Sequence, residues 1–198
     1  MGARMLVVGI GGTPRQDSTS EIALRTALEA AAELGAETRC LSGSAIDLPN
    51  YDPRGGVLPL PGQELVEAVR AADALIIASP GYHGTISGMV KNALDYLEEL
   101  RTDPRPYLQD LPVGCISVAY GWQAAVNTIR AIRDIAHALR GWPTPYGAAI
   151  NGAARPTFAD GACTDEEVRA NLRLVGQQVS TFALSASESR VVMNAPSS

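Results

Sequence analysis

Ala74-Leu75-Ile76-Ile77-Ala78-Ser79 is an unbroken apolar run that ends in Pro80-Gly81, and from Ile86 onward Met89, Val90, Ala93, Leu97 and Leu100 recur at helical spacing. A run apolar on both faces reads as a strand covered from both sides, as in a parallel sheet. An apolar stripe of helical period reads as a helix packed on one face. The stretch from 74 to 100 is therefore one strand, a Pro-Gly turn and the helix behind it.

The same pattern repeats in both directions. Upstream, Met5-Leu6-Val7-Val8-Gly9-Ile10 is another doubly buried strand. The Ser18-Thr19-Ser20-Glu21 capping box then opens a helix with Ile22, Leu24, Leu28, Ala31 and Leu34 on its core face, closed by Gly35. Glu37 to Leu41 reads as the second strand, Pro49 to Pro61 as a proline-rich connection and Gln63 to Ala71 as a helix. Downstream, Val113 to Ala119 is the fourth strand, Gln123 to Leu139 its helix and Tyr146 to Ile150 a weaker fifth strand. A second capping box, Thr164-Asp165-Glu166-Glu167, opens a last helix carrying Val168, Leu172, Val175, Val179 and Phe182.

Alternating strands and helices predict an α/β, three-layer, doubly wound five-stranded parallel sheet of order 2-1-3-4-5. Ligands of such sheets bind at the carboxyl ends of the strands, at the switch point between the first and third. Residues 1–184 are expected to form a single domain, with 185–198 a flexible polar tail.

Composition narrows the function. With a net charge of −5 and no run of Lys or Arg in 198 residues, nothing marks a nucleic-acid partner. No stretch approaches the roughly 20 apolar residues of a membrane helix, and Met1 to Arg4 lead straight into a strand, so the expectation is a cytoplasmic protein without a membrane anchor. Cys40, Cys115 and Cys163 are odd in number and widely spaced, and two fall in segments that read as buried strands, which fits reduced core thiols. With only His83 and His137 as histidines, no metal site is expected.

The loop after the first strand, Gly11 to Ser20, joins flexible backbone, the hydroxyls of Thr13, Ser18 and Ser20, and the guanidinium of Arg15 to a helix N-terminus. That set suits a terminal phosphate, because first-turn amides and the helix dipole favour negative charge and Arg pairs with it. No Lys-Ser or Lys-Thr follows the glycines, and the G-x-G-x-x-G starting at Gly9 fails at Pro14, so a monophosphate matches better than a triphosphate or dinucleotide. On this loop alone, a helix cap with a solvated Arg15 is an equal reading, and Glu21 in the first turn opposes an anion.

The loop after the third strand is more specific. Ser79-Pro80-Gly81-Tyr82-His83-Gly84-Thr85-Ile86-Ser87-Gly88-Met89-Val90-Lys91-Asn92-Ala93-Leu94-Asp95 resembles the P-x-Y-[NH]-x-[ST]-x-x-[GP]-x-x-K-N-A-[LI]-D motif of the NAD(P)H-dependent FMN reductase family. Gly12, Thr13, Arg15, Ser18 and Ser20 also fall on that family's phosphate-loop pattern. The resemblance spans about residues 5 to 150 and implies a flavodoxin-like fold, bound FMN, NADPH or NADH as electron donor, and a homodimer or homotetramer. Carried over, it places Thr13, Arg15, Ser18 and Ser20 at the FMN phosphate and Pro80, Tyr82, His83, Gly84 and Thr85 along the ring, where Pro80 and Gly81 permit close backbone approach. Gly121 and Trp122 after the fourth strand would meet its pyrimidine edge, although Tyr120 and Trp122 replace smaller residues and could instead shape a substrate pocket or subunit interface. Gly81 departs from the family's bulkier residue, and His83 stands where many members have Asn. His83 is either a titratable donor or an ordinary loop histidine. Lys91, the only lysine, is either a required ammonium or the partner of Asp95 in a surface pair.

Hydride transfer to a flavin needs no side-chain acid or base, so no catalytic residue is assigned. The expected activity is an FMN-dependent oxidoreductase that uses NAD(P)H to reduce free flavin for a partner monooxygenase, or bound flavin that serves a quinone-like or other small electron acceptor. A flavodoxin-type electron carrier and a relative recruited to specialised biosynthetic flavin chemistry are the alternatives.

Overall fold

The computed structural model describes residues 5–153 and 157–193. Strands β1 (Leu6–Gly11), β2 (Glu37–Leu41), β3 (Ala74–Tyr82), β4 (Pro112–Ala119) and β5 (Trp142–Asn151) alternate with helices α1 (Thr19–Glu33), α2 (Leu60–Ala71), α3 (Gly88–Asp95), α4 (Trp122–Ala138) and α5 (Glu166–Met193). The five strands run parallel in the order β2-β1-β3-β4-β5. Among the described residues no helix is long and apolar enough to cross a membrane.

Alternation along each strand divides the interior in two. Val8, Ile10, Leu75, Ile77, Val113 and Cys115 face α2, α3 and α4 through Leu65, Val69, Val90 and Ile132. Val7, Ile76, Ile116, Val118 and Ile150 face α1 and α5 through Leu24, Ala27, Leu172 and Val175. The result is the three-layer, doubly wound α/β fold that the sequence predicts. The two helices on the second face touch closely: a Cβ at Gly176 of α5 would lie 2.0 Å from the Ala27 carbonyl oxygen of α1.

Several local expectations change. The third strand does not stop at a Pro-Gly turn; it runs through Pro80 and Gly81 to Tyr82 and folds back on a two-residue strand, Thr85–Ile86, the sixth member of the sheet. Proline is tolerated there because β1 ends opposite Ala78, leaving no ladder on that side of Pro80 to supply with an N–H. His83 and Gly84 have φ of 50° and 87°, the left-handed pair a tight hairpin of primed type requires. Helix α3 begins at Gly88 rather than Ile86 and tightens after Asp95 into a 3₁₀ turn over Tyr96–Leu100.

The fifth strand is twice the predicted length and contains Pro143 and Pro145, as an edge strand can. The second capping box shifts by one residue: Asp165, not Thr164, caps α5 by accepting from the Val168 amide at 3.0 Å. Cys40 is exposed because β2 is the other edge strand, whereas Cys115 and Cys163 are buried. Burial pushes the Cys115 thiol up to about 12, which removes it from thiolate chemistry. Helix α5 continues to Met193, past Ser185 where the sequence reading starts a flexible tail, and 194–198 lie outside the described residues.

Replacing Gly176 by Ala must push α1 and α5 apart, because the nearest atom is backbone. The expected cost is about 2 kcal/mol, visible as a fall in Tm of about 4–8 °C for a protein of this size.

Candidate functional site

The carboxyl ends of β1, β3 and β4 open into one cleft of roughly 850 Å³. One wall is the β1–α1 loop, with Thr13, Pro14, Arg15, Ser18, Thr19 and Ser20; the other is the β3 hairpin, with Pro80, Gly81, Tyr82, His83 and Gly84; Val118, Ala119 and Tyr120 close the end of β4. Nine of the twelve residues singled out in the sequence therefore meet here: Thr13, Arg15, Ser18, Ser20, Pro80, Gly81, Tyr82, His83 and Gly84.

At the first wall, Ser18 caps α1 by accepting from the Glu21 amide at 3.4 Å, and its hydroxyl lies 3.5 Å from that of Ser20. Both serines are almost fully buried and line the cleft. The amides of Thr19 and Ser20 are in the first turn, where a helix has no carbonyl to offer them. Thr13 is held by its own loop, its Oγ1 accepting from the Arg15 amide at 3.2 Å. The Arg15 guanidinium has no ion-pair partner among the described residues.

Glu21, which opposes an anion on sequence grounds, is buried with both carboxylate oxygens paired and does not line the cleft. One oxygen accepts from the Asp17 amide at 3.1 Å and the other from Arg25 at 3.1 Å. The amide end of α1 is thereby left facing the cleft with hydroxyls and a free guanidinium, and without an unpaired carboxylate.

The second wall is fixed from beneath. Ser79 Oγ accepts from the Ser87 amide at 2.9 Å, tying the hairpin's return to the strand it leaves. Thr128 of α4 donates to the Thr85 carbonyl at 3.2 Å. A Cβ at Gly81 would come within 2.8 Å of both Ala119 Cβ and Thr128 Oγ1, so only glycine lets the hairpin lie this close to β4 and α4. Tyr82 is about half exposed and Tyr120 almost wholly so, giving the mouth of the cleft two aromatic rings.

Three expected residues are not brought into the cleft. Thr85 is in the hairpin but exposed and outside the cleft lining, its carbonyl accepting from Thr128. Gly121 begins α4, and its amide, expected at a ring edge, already donates to Asn151 Oδ1 at 2.9 Å. Trp122 borders a separate hollow of roughly 320 Å³ beside β5, with Tyr146, Ile150 and Glu167. Conversely, Gly152, Thr157 and Phe158 line the cleft and were not anticipated. Phe158–Ala159 and Ala162–Cys163 form a small hairpin around Asp160-Gly161, whose φ angles of 50° and 75° make a primed turn. The Asp-Gly pair between short apolar residues was the available signal.

The motif's other residues have structural work. Lys91 pairs with Asp95 at 2.5 Å on the surface, the plainer of its two readings. The Asn92 side chain accepts from the Tyr51 amide at 2.9 Å and donates to the carbonyls of Leu48 and Pro49 at 3.0 and 2.9 Å. It is the pin that holds the proline-rich connection against α3.

A doubly wound sheet with an anion-suited helix start and a glycine-permitted aromatic hairpin at its switch point defines a flavodoxin-like α/β protein. The chain belongs to the NADPH-dependent FMN reductase family, whose model matches residues 5–155. It is 32% identical over 122 residues to an FMN-dependent NADPH-azoreductase of Staphylococcus aureus, an alignment covering 61% of each protein, so the chain spans less than two thirds of that relative. Among solved structures, it is similar to the flavoenzyme NAD(P)H:(acceptor) oxidoreductase FerB from Paracoccus denitrificans, with TM-score 0.70 and 25% identity over 91% of this chain and 98% of that one. It also shares its fold with an NADH:FMN oxidoreductase, EmoB, at TM-score 0.67 and 21% identity over 91% of this chain and 89% of that one.

The structure separates motif residues that build the cleft from those that support it. Asn92→Ala leaves three backbone groups to find new partners, at a cost of about 1–3 kcal/mol. Limited proteolysis is expected to cut near Tyr51 sooner than in the parent protein, while the cleft lining is unchanged.

Proposed function

We propose that the protein is an FMN-dependent oxidoreductase that takes electrons from NAD(P)H and passes them to a small acceptor. The observation that carries this is the meeting, in one cleft, of a phosphate-suited helix start with a hairpin whose backbone can lie flat against a ring. The residues present fit FMN. Ser18, Ser20 and the first-turn amides offer donors to a phosphoryl group, and Arg15 offers a charge-assisted pair. The Pro80–Gly84 hairpin is held in place by Ser79 and Thr128, so its amides and the face of Tyr82 are preorganised rather than mobile.

When bound, FMN supplies the chemistry, accepting a hydride equivalent and giving it up again. The chain's part is to orient and to shield. The hairpin and the end of β4 would hold the ring, and Ser18, Ser20 and Arg15 would hold the phosphate end. The aromatic rings of Tyr82 and Tyr120 at the mouth suit a flat nicotinamide or a flat acceptor. This fits the azo and flavin acceptors named for the relatives. The exposed free thiol of Cys40 fits the reducing cytoplasm, and self-association of the homodimer or homotetramer kind would give the exposed Trp122 and Val126 a cover.

The test is optical. Purified protein titrated with FMN is expected to shift the flavin's visible bands, NADPH or NADH added without oxygen to bleach them, and air to restore them. Protein that leaves the FMN spectrum and fluorescence unchanged would end this reading. Arg15→Ala is expected to weaken FMN binding by about 10- to 100-fold, the range of one charge-assisted hydrogen bond, with far less effect on riboflavin, which lacks the phosphate.

A further inference from the structure

Arg25 is not in the cleft, yet it gathers the charges behind it. Its Nη2 pairs with Asp17 Oδ1 at 2.7 Å and its Nη1 with Glu21 Oε1 at 3.1 Å. Nη2 also reaches the Gly161 carbonyl, at 3.5 Å, at the tip of the hairpin that brings Phe158 to the cleft. Asp17 has a φ of 53°, and its amide is held by the other oxygen of Glu21 at 3.1 Å. One guanidinium thus joins three segments: the phosphate-loop residue in left-handed conformation, the first turn of α1 and the covering hairpin.

Stability alone is a weak reason for this arrangement. The Arg25 and Asp17 side chains are about a third and a half exposed, and pairs so exposed contribute about 1 kcal/mol or less. Charge is a better reason. Without Arg25, two carboxylates would stand within the first turn and the loop before it, where an incoming phosphate would meet their repulsion and the helix end would lose its net attraction for an anion. The hydrogen bond to Asp17 leads the causes that raise the Arg25 pKa, as expected of a guanidinium held beside two carboxylates.

We propose that Arg25 is a positioning residue for the phosphate end of the cleft: it pairs with both Asp17 and Glu21, offsetting one of their two charges, and holds their loop in the shape that presents Ser18, Ser20 and Arg15 to a phosphomonoester. This rests on the FMN reading above. It sets selectivity for the phosphorylated over the unphosphorylated flavin without touching either.

The experiment compares dissociation constants for FMN and riboflavin, by flavin fluorescence, in the parent protein and in Arg25→Met, Arg25→Lys and the double variant Arg25→Met/Glu21→Gln. Arg25→Met is expected to weaken FMN about tenfold or more and riboflavin less than about twofold. Arg25→Lys, which keeps the charge, and the double variant, which removes a carboxylate charge while a Gln retains the capping geometry, are each expected to recover most of the loss. Equal weakening of both flavins would make Arg25 merely structural and overturn the inference, as would no change in either. If Arg25→Met does not fold, Glu21→Gln with Arg25 intact makes the same test in reverse: the preference for FMN should rise severalfold, and an unchanged preference overturns the inference. A parent protein that binds neither flavin instead overturns the FMN reading itself, which is a separate and recognisable result.

Discussion

β1 and β3 lie side by side at the centre of the sheet, and the helices that follow them leave toward opposite faces. That divergence is what opens the cleft, because no helix can cross over the carboxyl ends of both strands at once. The strands can be this close only because of small residues: a Cβ on Gly11 would fall 2.1 Å from the Ala78 carbonyl oxygen. From this one approach the rest follows. The chain beyond Gly11 has to turn into α1 with its amide end facing inward, and the chain beyond Ala78 runs on past the end of its neighbour, free to carry a proline and to form a hairpin. The two walls of the cleft are the two ways of leaving a single crowded point.

The walls differ in how they are made rigid. The β1–α1 wall is electrostatic and local, built from a cap, a left-handed Asp17 and the paired charges of Glu21 and Arg25. The hairpin wall is made rigid by tertiary contacts: Ser79 to Ser87, Thr128 to Thr85, and Gly81 against β4 and α4. A ligand with a charged end and a flat end finds each end already shaped, so little of its binding energy goes to ordering the protein.

Much of this was legible in the residues, for physical reasons. Doubly buried strands such as Leu75-Ile76-Ile77 have no polar residue to mislead the reading, and the Ser18 to Glu21 capping box marks a helix start within one residue. The meeting of Thr13, Arg15, Ser18 and Ser20 with Pro80 to Gly84 follows from strand order, which puts both loops at the switch point, together with the family resemblance, which picks out these residues. What escaped was set by tertiary context. Pro80 reads as a terminator until one knows that β1 stops short of it, and the apolar look of Cys40 hides an exposure that the edge position of β2, already in the expected strand order, implies. The pairing of the buried Glu21 carboxylate needs Arg25, a helical turn further on and indistinguishable in sequence from any surface arginine. Gly121 looked available because its partner, Asn151, lies 30 residues away. The Asp160-Gly161 hairpin was different, being local and readable but overlooked.

The near-contact of Gly176 with the Ala27 carbonyl links the C-terminal half of the chain to the helix that bears the β1–α1 wall. Because α1 is wedged between α5 and the strands beneath it, any widening of that seam would tilt the first turn that carries Ser18 and Ser20. The cleft mouth and the seam between the two helices therefore share one mechanical setting, so that a change at Gly176 would be felt at the amide end of α1.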